Sequence, residues 1–201
     1  MKVSIVAKMV PMDSQMGTGE LIGKIATICY GEKGTNYEKV VKRCIKSGHD
    51  SVLEHVSYTF RIDGISRVTA QQLTRHRIAS YTMLSQRYTN QSGFDVMLPS
   101  SIADMAEVDN IVDTAQATYD LMISRGVKPE DARYILPQGV TCSLYMTMNV
   151  RSLRNFLELR LDTHAQAEIR DLATEILELV WNDAPLLFSD IVEDFTGGEF
   201  L

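Results

Sequence analysis

The stretch Val56-Ser57-Tyr58-Thr59-Phe60-Arg61-Ile62-Asp63 decides the fold class, because its apolar and polar residues alternate without interruption. This period of two places successive side chains on opposite faces and predicts a half-buried β-strand. Residues 140–148 alternate in the same way, and so do residues 2–9 near the start of the chain. The sequence therefore predicts strands that each turn one face toward a hydrophobic core.

The segments between and after these strands carry the spacing of amphipathic helices. A helix is predicted from Ile65 to Thr74. A capping box at Ser101 and Asp104 predicts a long helix that has Ile111 on its core face and ends at Gly126. The other predicted helices span residues 19–29, 36–47, 129–136, 151–161 and 165–182. Because strands and helices do not alternate as βαβ units do, the predicted fold is α+β, with a central, mainly antiparallel sheet packed with helices. At 201 residues, the chain is predicted to form a single domain, residues 1–201.

The composition argues against some classes of function and predicts a compartment. A net charge of −6 argues against nonspecific nucleic-acid binding, which depends on many Lys and Arg contacts to phosphate. Cys29, Cys44 and Cys142 form no CxxC pair, so we interpret them as buried small apolar residues in a reducing compartment. The N-terminus lacks the apolar core of a signal peptide, and no apolar run approaches the ~20 residues that cross a bilayer. We therefore expect a cytoplasmic protein with no membrane or nucleic-acid partner.

Arginine is concentrated in the stretch Arg75–Tyr88, RHRIASYTMLSQRY, of this acidic chain. Its planar fork of donors matches the oxygens of phosphate and carboxylate groups. Arginine recurs in ARYILP at residues 132–137 and in NVRSLRNFLELR at residues 149–160, where Arg151 and Asn155 are i,i+4 neighbours that can share one ligand. The pattern predicts a local anion site. The alternative is a solvated surface with loose ion pairs.

Two other patterns are weak. His49 and His55 are six residues apart, whereas a helical zinc site needs histidines four apart, so no metal is predicted. The glycines of residues 17–23 are a near miss for a dinucleotide-binding loop, and they follow no well-placed parallel strand.

Four motifs in this order resemble the flavin-dependent thymidylate synthases, the ThyX family. They are RHR-x7-S at residues 75–85, ARxxLP at 132–137, NxRSLxNFLxLR at 149–160 and DxHAQxEI at 162–169. The resemblance implies a homotetramer with active sites shared between subunits. It implies an FAD-dependent methyltransferase that makes dTMP from dUMP by reductive methylation. NADPH reduces the flavin and 5,10-methylenetetrahydrofolate supplies the carbon. The family uses no cysteine nucleophile, in agreement with the absence of a cysteine in an activating motif.

The resemblance also implies roles for individual residues. The positions that match the family's dUMP site are Gln72, Arg75, Met83, Ser85, Gln86, Arg87, Arg133 and Arg160. Ser85 and Arg87 are expected at the phosphate, Arg133 is expected from a neighbouring subunit, and Arg160 is the expected catalytic residue, polarising the uracil. The positions that match flavin contacts are Ser51, Arg75, His76, Arg77, Ile78, Met83, Asn149, Arg151, Asn155 and His164. His49 matches a residue near the folate or NADPH, and a capped core histidine is the alternative for His164.

Met83 departs from the family, which commonly has a glutamate or glutamine there. A thioether neither accepts hydrogen bonds as a carboxylate does nor supplies negative charge. This leaves open a same-fold flavoenzyme that acts on another pyrimidine nucleotide. A noncatalytic nucleotide- or RNA-binding module is the alternative from a different class, and the acidic balance of the chain opposes it.

Overall fold

The computed structural model describes residues 1–31 and 36–197 of the chain. Its strands are β1 (Lys2–Lys8), β2 (Ser57–Ser66), β3 (Ser80–Met83) and β4 (Thr141–Asn149). They form a four-stranded sheet in the order β1-β2-β4-β3. The predicted alternation is confirmed, since Tyr58, Phe60 and Ile62 are each 0% exposed. The predicted α+β class with an antiparallel sheet is confirmed as well.

The helices vary widely in length. They are α1 (Thr18–Thr27), α2 (Tyr37–Lys46), α3 (Arg67–Leu73), α4 (Ala106–Ser124), α5 (Pro129–Ala132), α6 (Val150–Leu161), α7 (Ala167–Asp183) and α8 (Ser189–Thr196). Short 3₁₀ helices span Ile28–Tyr30, Asp50–His55, Arg133–Ile135 and Pro185–Leu187. Asn36 caps α2 by accepting a hydrogen bond from the Lys39 amide at 2.9 Å, so the predicted start of this helix is confirmed.

The chain divides into two compact units, and the first comprises Met1–Lys2, Ile62–Arg75 and Tyr81–Tyr145. Ser66 ends β2 and caps α3, because its hydroxyl accepts a hydrogen bond from the Thr69 amide at 3.0 Å. The backbone amide of Arg67 donates to the Val140 carbonyl at 3.0 Å. The first turn of α3 is thereby fixed against the start of β4.

The second unit comprises Val3–Arg61, His76–Ser80 and Met146–Leu201. Its core includes Phe156 on α6 and Ile176 on α7, both 0% exposed. Tyr58 is buried on β2 and donates its hydroxyl to Asp183 at 2.8 Å, and Lys8 pairs with the same carboxylate. Burial, followed by the bond to Asp183, raises the pKa of Tyr58. The single-domain interpretation of residues 1–201 stays a prediction.

Some predicted boundaries are wrong. The helix predicted from Ile65 begins at Arg67, because β2 continues through Ser66. The capping box at Ser101 and Asp104 does not form, since Met105 occupies the N-cap of α4 without a side-chain cap. Turns that begin at Pro99 take up this segment instead.

Three further expectations are corrected. Cys29 was expected to be buried like the other two cysteines, but it is exposed, whereas Cys44 and Cys142 are buried. Ile111, predicted on the core face of the long helix, is 64% exposed, because α4 buries only a narrow stripe around Tyr119. Two helices were expected to close the chain, but α8 follows them. This helix has eight residues, too few for its apolar spacing to stand out in the sequence.

Candidate functional site

The RHR segment follows α3 directly and then enters β3, a short strand that is not among the strands predicted from the sequence. Tyr81, the second residue of β3, donates its hydroxyl to the Leu73 carbonyl at 2.8 Å. Burial raises the pKa of Tyr81 to about 12, so the hydroxyl remains a donor at neutral pH. This bond ties β3 to the C-terminal end of α3.

A cavity of about 550 Å³ lies within the first unit. Its lining combines polar and apolar side chains from α3 and the residue after it, from β3 and the loop that follows it, and from the segment after α5: Arg67, Ala70, Gln71, Thr74, Met83, Gln86, Arg133, Tyr134, Leu136, Pro137 and Gln138. None of these described lining residues is acidic, although the chain carries a net charge of −6. Two guanidinium groups without a lining carboxylate make this pocket suitable for an anion.

Three predicted site residues, Met83, Gln86 and Arg133, line this pocket. Sequence reasoning missed Arg67, Gln71 and Thr74. They recur at i, i+4 and i+7 along α3, so a polar helical stripe was the signal that could have found them. The predicted Gln72 is partly buried on the same helix but is not among the lining residues. Arg75 follows α3 and is exposed.

Glu130 connects two of the predicted arginines. Its carboxylate accepts a hydrogen bond from Nε of Arg87 at 2.6 Å, and its carbonyl accepts one from Nε of Arg133 at 3.2 Å. The bond from Arg87 lowers the pKa of Glu130. Ser85 accepts a hydrogen bond from the Arg87 amide at 3.2 Å. Ser85, Arg87 and Arg133 are thus held in one connected group.

In the second unit, Arg160 on α6 donates from Nε to Nε2 of His76 at 3.0 Å. The His76 ring meets Phe156 edge to face, with ring centroids 5.1 Å apart. Burial and the Arg160 charge lower the pKa of His76 to about 4. His76 is therefore neutral at pH 7 and accepts with Nε2, which leaves its proton on Nδ1.

A second pocket, of about 310 Å³, lies within the second unit and contains the predicted pair Arg151 and Asn155. Arg151 is engaged by Glu54 at 2.6 Å, which raises the pKa of this arginine. Asn149 caps α6 by accepting from the Ser152 amide at 2.8 Å. Arg151 and Asn155, predicted from their i,i+4 spacing to be able to share one ligand, thus line the same pocket.

The remaining predicted residues are exposed and lie on loops or, for Ser51, in the 3₁₀ helix Asp50–His55. His49, Ser51 and Arg77 are exposed, and Ile78 exposes 75% of its surface. The side chain of His164 is 94% exposed and contacts Asp162 at 2.7 Å. The alternative of a core histidine at position 164 is therefore wrong, because the loop between α6 and α7 turns this side chain to solvent.

Residues 1–31 and 36–197 contain neither a metal-binding cluster nor a membrane-spanning helix. No group of three or more His, Cys, Asp or Glu side chains in these ranges is arranged to hold a metal ion. None of the described helices is both long enough and apolar enough to span a membrane.

Fold and site together define a class: an α+β protein with an arginine-lined pocket suited to a small anion. The family model described as "Thymidylate synthase complementing protein" matches residues 12–186. This match covers most of the chain, and the chain therefore belongs to that family, the flavin-dependent thymidylate synthases. The resemblance drawn from the four motifs is confirmed.

Individual relatives agree with this assignment. The chain is 39% identical over 181 residues to the flavin-dependent thymidylate synthase of Geobacter sulfurreducens, covering 82% of this chain and 78% of that protein. It is 42% identical over 166 residues to the enzyme of Sulfurisphaera tokodaii, covering 79% of this chain and 65% of that protein. The chain thus spans a little under two thirds of the length of this archaeal relative.

A solved structure supports the fold over nearly the whole chain. The crystal structure of Thymidylate Synthase X from Helicobacter pylori with FAD and dUMP superposes with a TM-score of 0.77. It is 26% identical in sequence, and the match covers 94% of this chain and 98% of that one.

Proposed function

We propose that this protein converts dUMP to dTMP by reductive methylation, with 5,10-methylenetetrahydrofolate as the carbon donor and NADPH-reduced FAD as the source of hydride. The observation that carries the proposal is the pocket of the first unit, in which Arg67 and Arg133 face no lining carboxylate. A family member with this pocket has the means to bind an anionic nucleotide. The family's cofactor chemistry supplies the remainder of the reaction.

The nucleotide site is proposed to include the residues that match the family pattern. Gln86, Arg133 and Met83 line the pocket, and Ser85 and Arg87 are connected to it through Glu130. The Arg87–Glu130 ion pair is largely exposed, so a phosphate group can compete for Arg87 at low energetic cost. Gln72 and Arg75 complete the proposed set.

Arg160 is proposed as the catalytic residue. Its bond to neutral His76 holds the guanidinium in one orientation without cancelling its charge. A fixed cation beside the uracil ring stabilises the negative charge that develops when the ring N–H ionises, and it transfers no proton itself.

Several of the described residues suit a flavin dinucleotide, and FAD would supply the hydride when bound. Arg77 and Arg151 are cations for its diphosphate, and the exposed Ile78 is an apolar surface for a ring. Asn155 lines the second pocket beside Arg151. These residues therefore fit FAD. When FAD binds, Arg151 must give up its ion pair with Glu54 and contact the diphosphate instead. Ser51, Arg75, His76, Met83, Asn149 and His164 are the other proposed flavin contacts, and His49 is proposed near the folate or NADPH.

A homotetramer with shared active sites is also proposed. Because Arg133 lines the pocket of its own chain, the expectation that it comes from a neighbouring subunit is not retained. Exposed apolar side chains in the first unit support association, including Ile111, Leu121 and Tyr134 at 64%, 48% and 86% exposure. Sedimentation of the purified protein at several concentrations tests this assembly. The cytoplasmic location stays a prediction.

The decisive test of function is product formation. The purified protein is incubated with FAD, NADPH, 5,10-methylenetetrahydrofolate and dUMP, and dTMP is measured by mass spectrometry. A parallel incubation with dCMP tests another pyrimidine nucleotide. The expected result is that dTMP forms in the incubation with dUMP and that dCMP gives no product. If the flavin is reduced but product forms only from dCMP, then dCMP and not dUMP is the substrate. If the protein binds no flavin, the proposed function is overturned.

A further inference from the structure

Arg67 carries a positive charge that the described residues do not pair with a carboxylate. Its Nη1 donates to the Met83 sulfur at 2.9 Å, and its Nη2 donates to the Leu84 carbonyl at 2.8 Å. A thioether is a weak acceptor and a carbonyl is neutral, so neither contact cancels the charge. The ion pairs found among the described residues do not include Arg67.

The Arg67 guanidinium is also incompletely hydrogen-bonded. Its Nε atom is buried and has no partner within the part of the chain that the structure describes. A buried donor left without a partner costs free energy, and native proteins retain few of them. Each Nη nitrogen of an arginine carries a second N–H, so the outer edge of this guanidinium still has donors for a ligand.

The position of Arg67 identifies the kind of ligand. It shares the 550 Å³ pocket with Arg133, and no acidic side chain is among the described lining residues. Two cations in one cavity repel each other and are stabilised together by an anion that reaches both. The planar edge of arginine matches a phosphate group.

We propose that Arg67 is a further phosphate-binding residue of the nucleotide pocket, and that methionine at position 83 leaves its charge available for the ligand. This inference rests on the proposed function, because it assigns the anion to the phosphate of dUMP. A carboxylate at position 83 would pair with Arg67, 2.9 Å from the present sulfur, and would compete with the phosphate. The bond from Nη2 to Leu84 holds the backbone that precedes Ser85, so Arg67 also positions that segment.

Position 83 gives a test in which only charge differs. Met83→Glu and Met83→Gln have nearly the same shape, and calorimetric titration of the full-length protein measures binding of dUMP, deoxyuridine and FAD. The glutamate variant is expected to bind dUMP about tenfold more weakly than the glutamine variant, since an opposite charge beside Arg67 offsets its attraction for phosphate. Deoxyuridine, which lacks the phosphate, should bind both variants equally.

Position 67 gives an independent test. Arg67→Gln should weaken dUMP binding by at least about tenfold, and Arg67→Lys should weaken it less, because a lysine keeps the charge but not the fork. Arg125→Gln removes the same charge from an exposed site in the same unit and should leave dUMP affinity unchanged. If Arg67→Gln does not fold, the two position-83 variants decide the question alone.

The outcomes separate this inference from the proposed function. Equal dUMP affinity in Met83→Glu and Met83→Gln would overturn the inference while wild-type dTMP formation still supported the function. If Met83→Glu loses affinity for FAD but not for dUMP, then Arg67 binds a phosphate of FAD. That result would overturn the inference that Arg67 binds the phosphate of dUMP. If the wild-type protein binds dUMP in a way that depends on Arg67 but forms no dTMP, the proposed function is overturned. The inference that Arg67 binds the phosphate is then still supported. Wild-type protein that binds neither dUMP nor FAD would overturn both.

Discussion

Arg160 and His76 are joined by a hydrogen bond of 3.0 Å, although they lie 84 residues apart in the sequence. The bond runs from a cation to a neutral ring, since the pKa of His76 is lowered to about 4. Protonation of His76 would remove the acceptor and place two positive charges in contact. The pair is therefore stable only while the ring stays neutral.

The first prediction concerns the pH dependence of stability. Because the folded pKa of His76, about 4, lies below its ordinary value of about 6.5, its contribution is complete above pH 6.5 and is lost as the pH falls toward 4. Allowing for partial solvent screening, we expect this loss to be about 1–2 kcal/mol. Urea unfolding at pH 7 and pH 4.5 measures it. His76→Gln keeps an acceptor that does not titrate, and it should lose less stability over this interval than the wild type.

The second prediction separates the charge of Arg160 from its hydrogen-bonding fork. Arg160→Ala should lower turnover by about 100-fold or more, the usual cost of removing one electrostatic stabiliser, while flavin binding is retained. Arg160→Lys keeps a cation but cannot present the same fork, so we expect an intermediate rate. Single-turnover formation of dTMP measures both variants. A wild-type rate in Arg160→Ala would remove this residue from the mechanism.

The third prediction concerns competition at Arg87. Glu130 accepts from Arg87 at 2.6 Å in an exposed ion pair, and the proposed phosphate needs the same guanidinium. Glu130→Gln should strengthen dUMP binding about two- to fivefold, because a neutral amide competes less well for the cation. Titration calorimetry measures the change, and Glu38→Gln, in the exposed pair with Lys42, is the matched control. Weaker dUMP binding in Glu130→Gln would mean that Glu130 positions Arg87 rather than competing for it.

Much of the fold follows from local patterns, and the site follows from them only in part. Strict alternation predicted β2 and β4, because each strand buries one face. The motif around Ser85 predicted Met83 and Gln86 in the pocket. Tyr134 and Gln138 were not predicted, since only tertiary packing brings them beside α3. The His76–Arg160 bond likewise joins segments that no local pattern connects.

The final prediction tests the packing of α1 against α2. A Cβ atom at Gly23 would lie 2.4 Å from the Tyr37 carbonyl oxygen, a backbone atom that cannot move without shifting α2. Gly23→Ala should therefore destabilise the protein by about 1–3 kcal/mol, the range expected for steric overlap in a packed interior. Gly17→Ala, at the N-cap of the same helix, is the control, because its new methyl group would meet nothing closer than 3.8 Å. Urea midpoints of the two variants measure the difference. Equal midpoints for Gly23→Ala and Gly17→Ala would show that α1 and α2 do not approach each other this closely in solution.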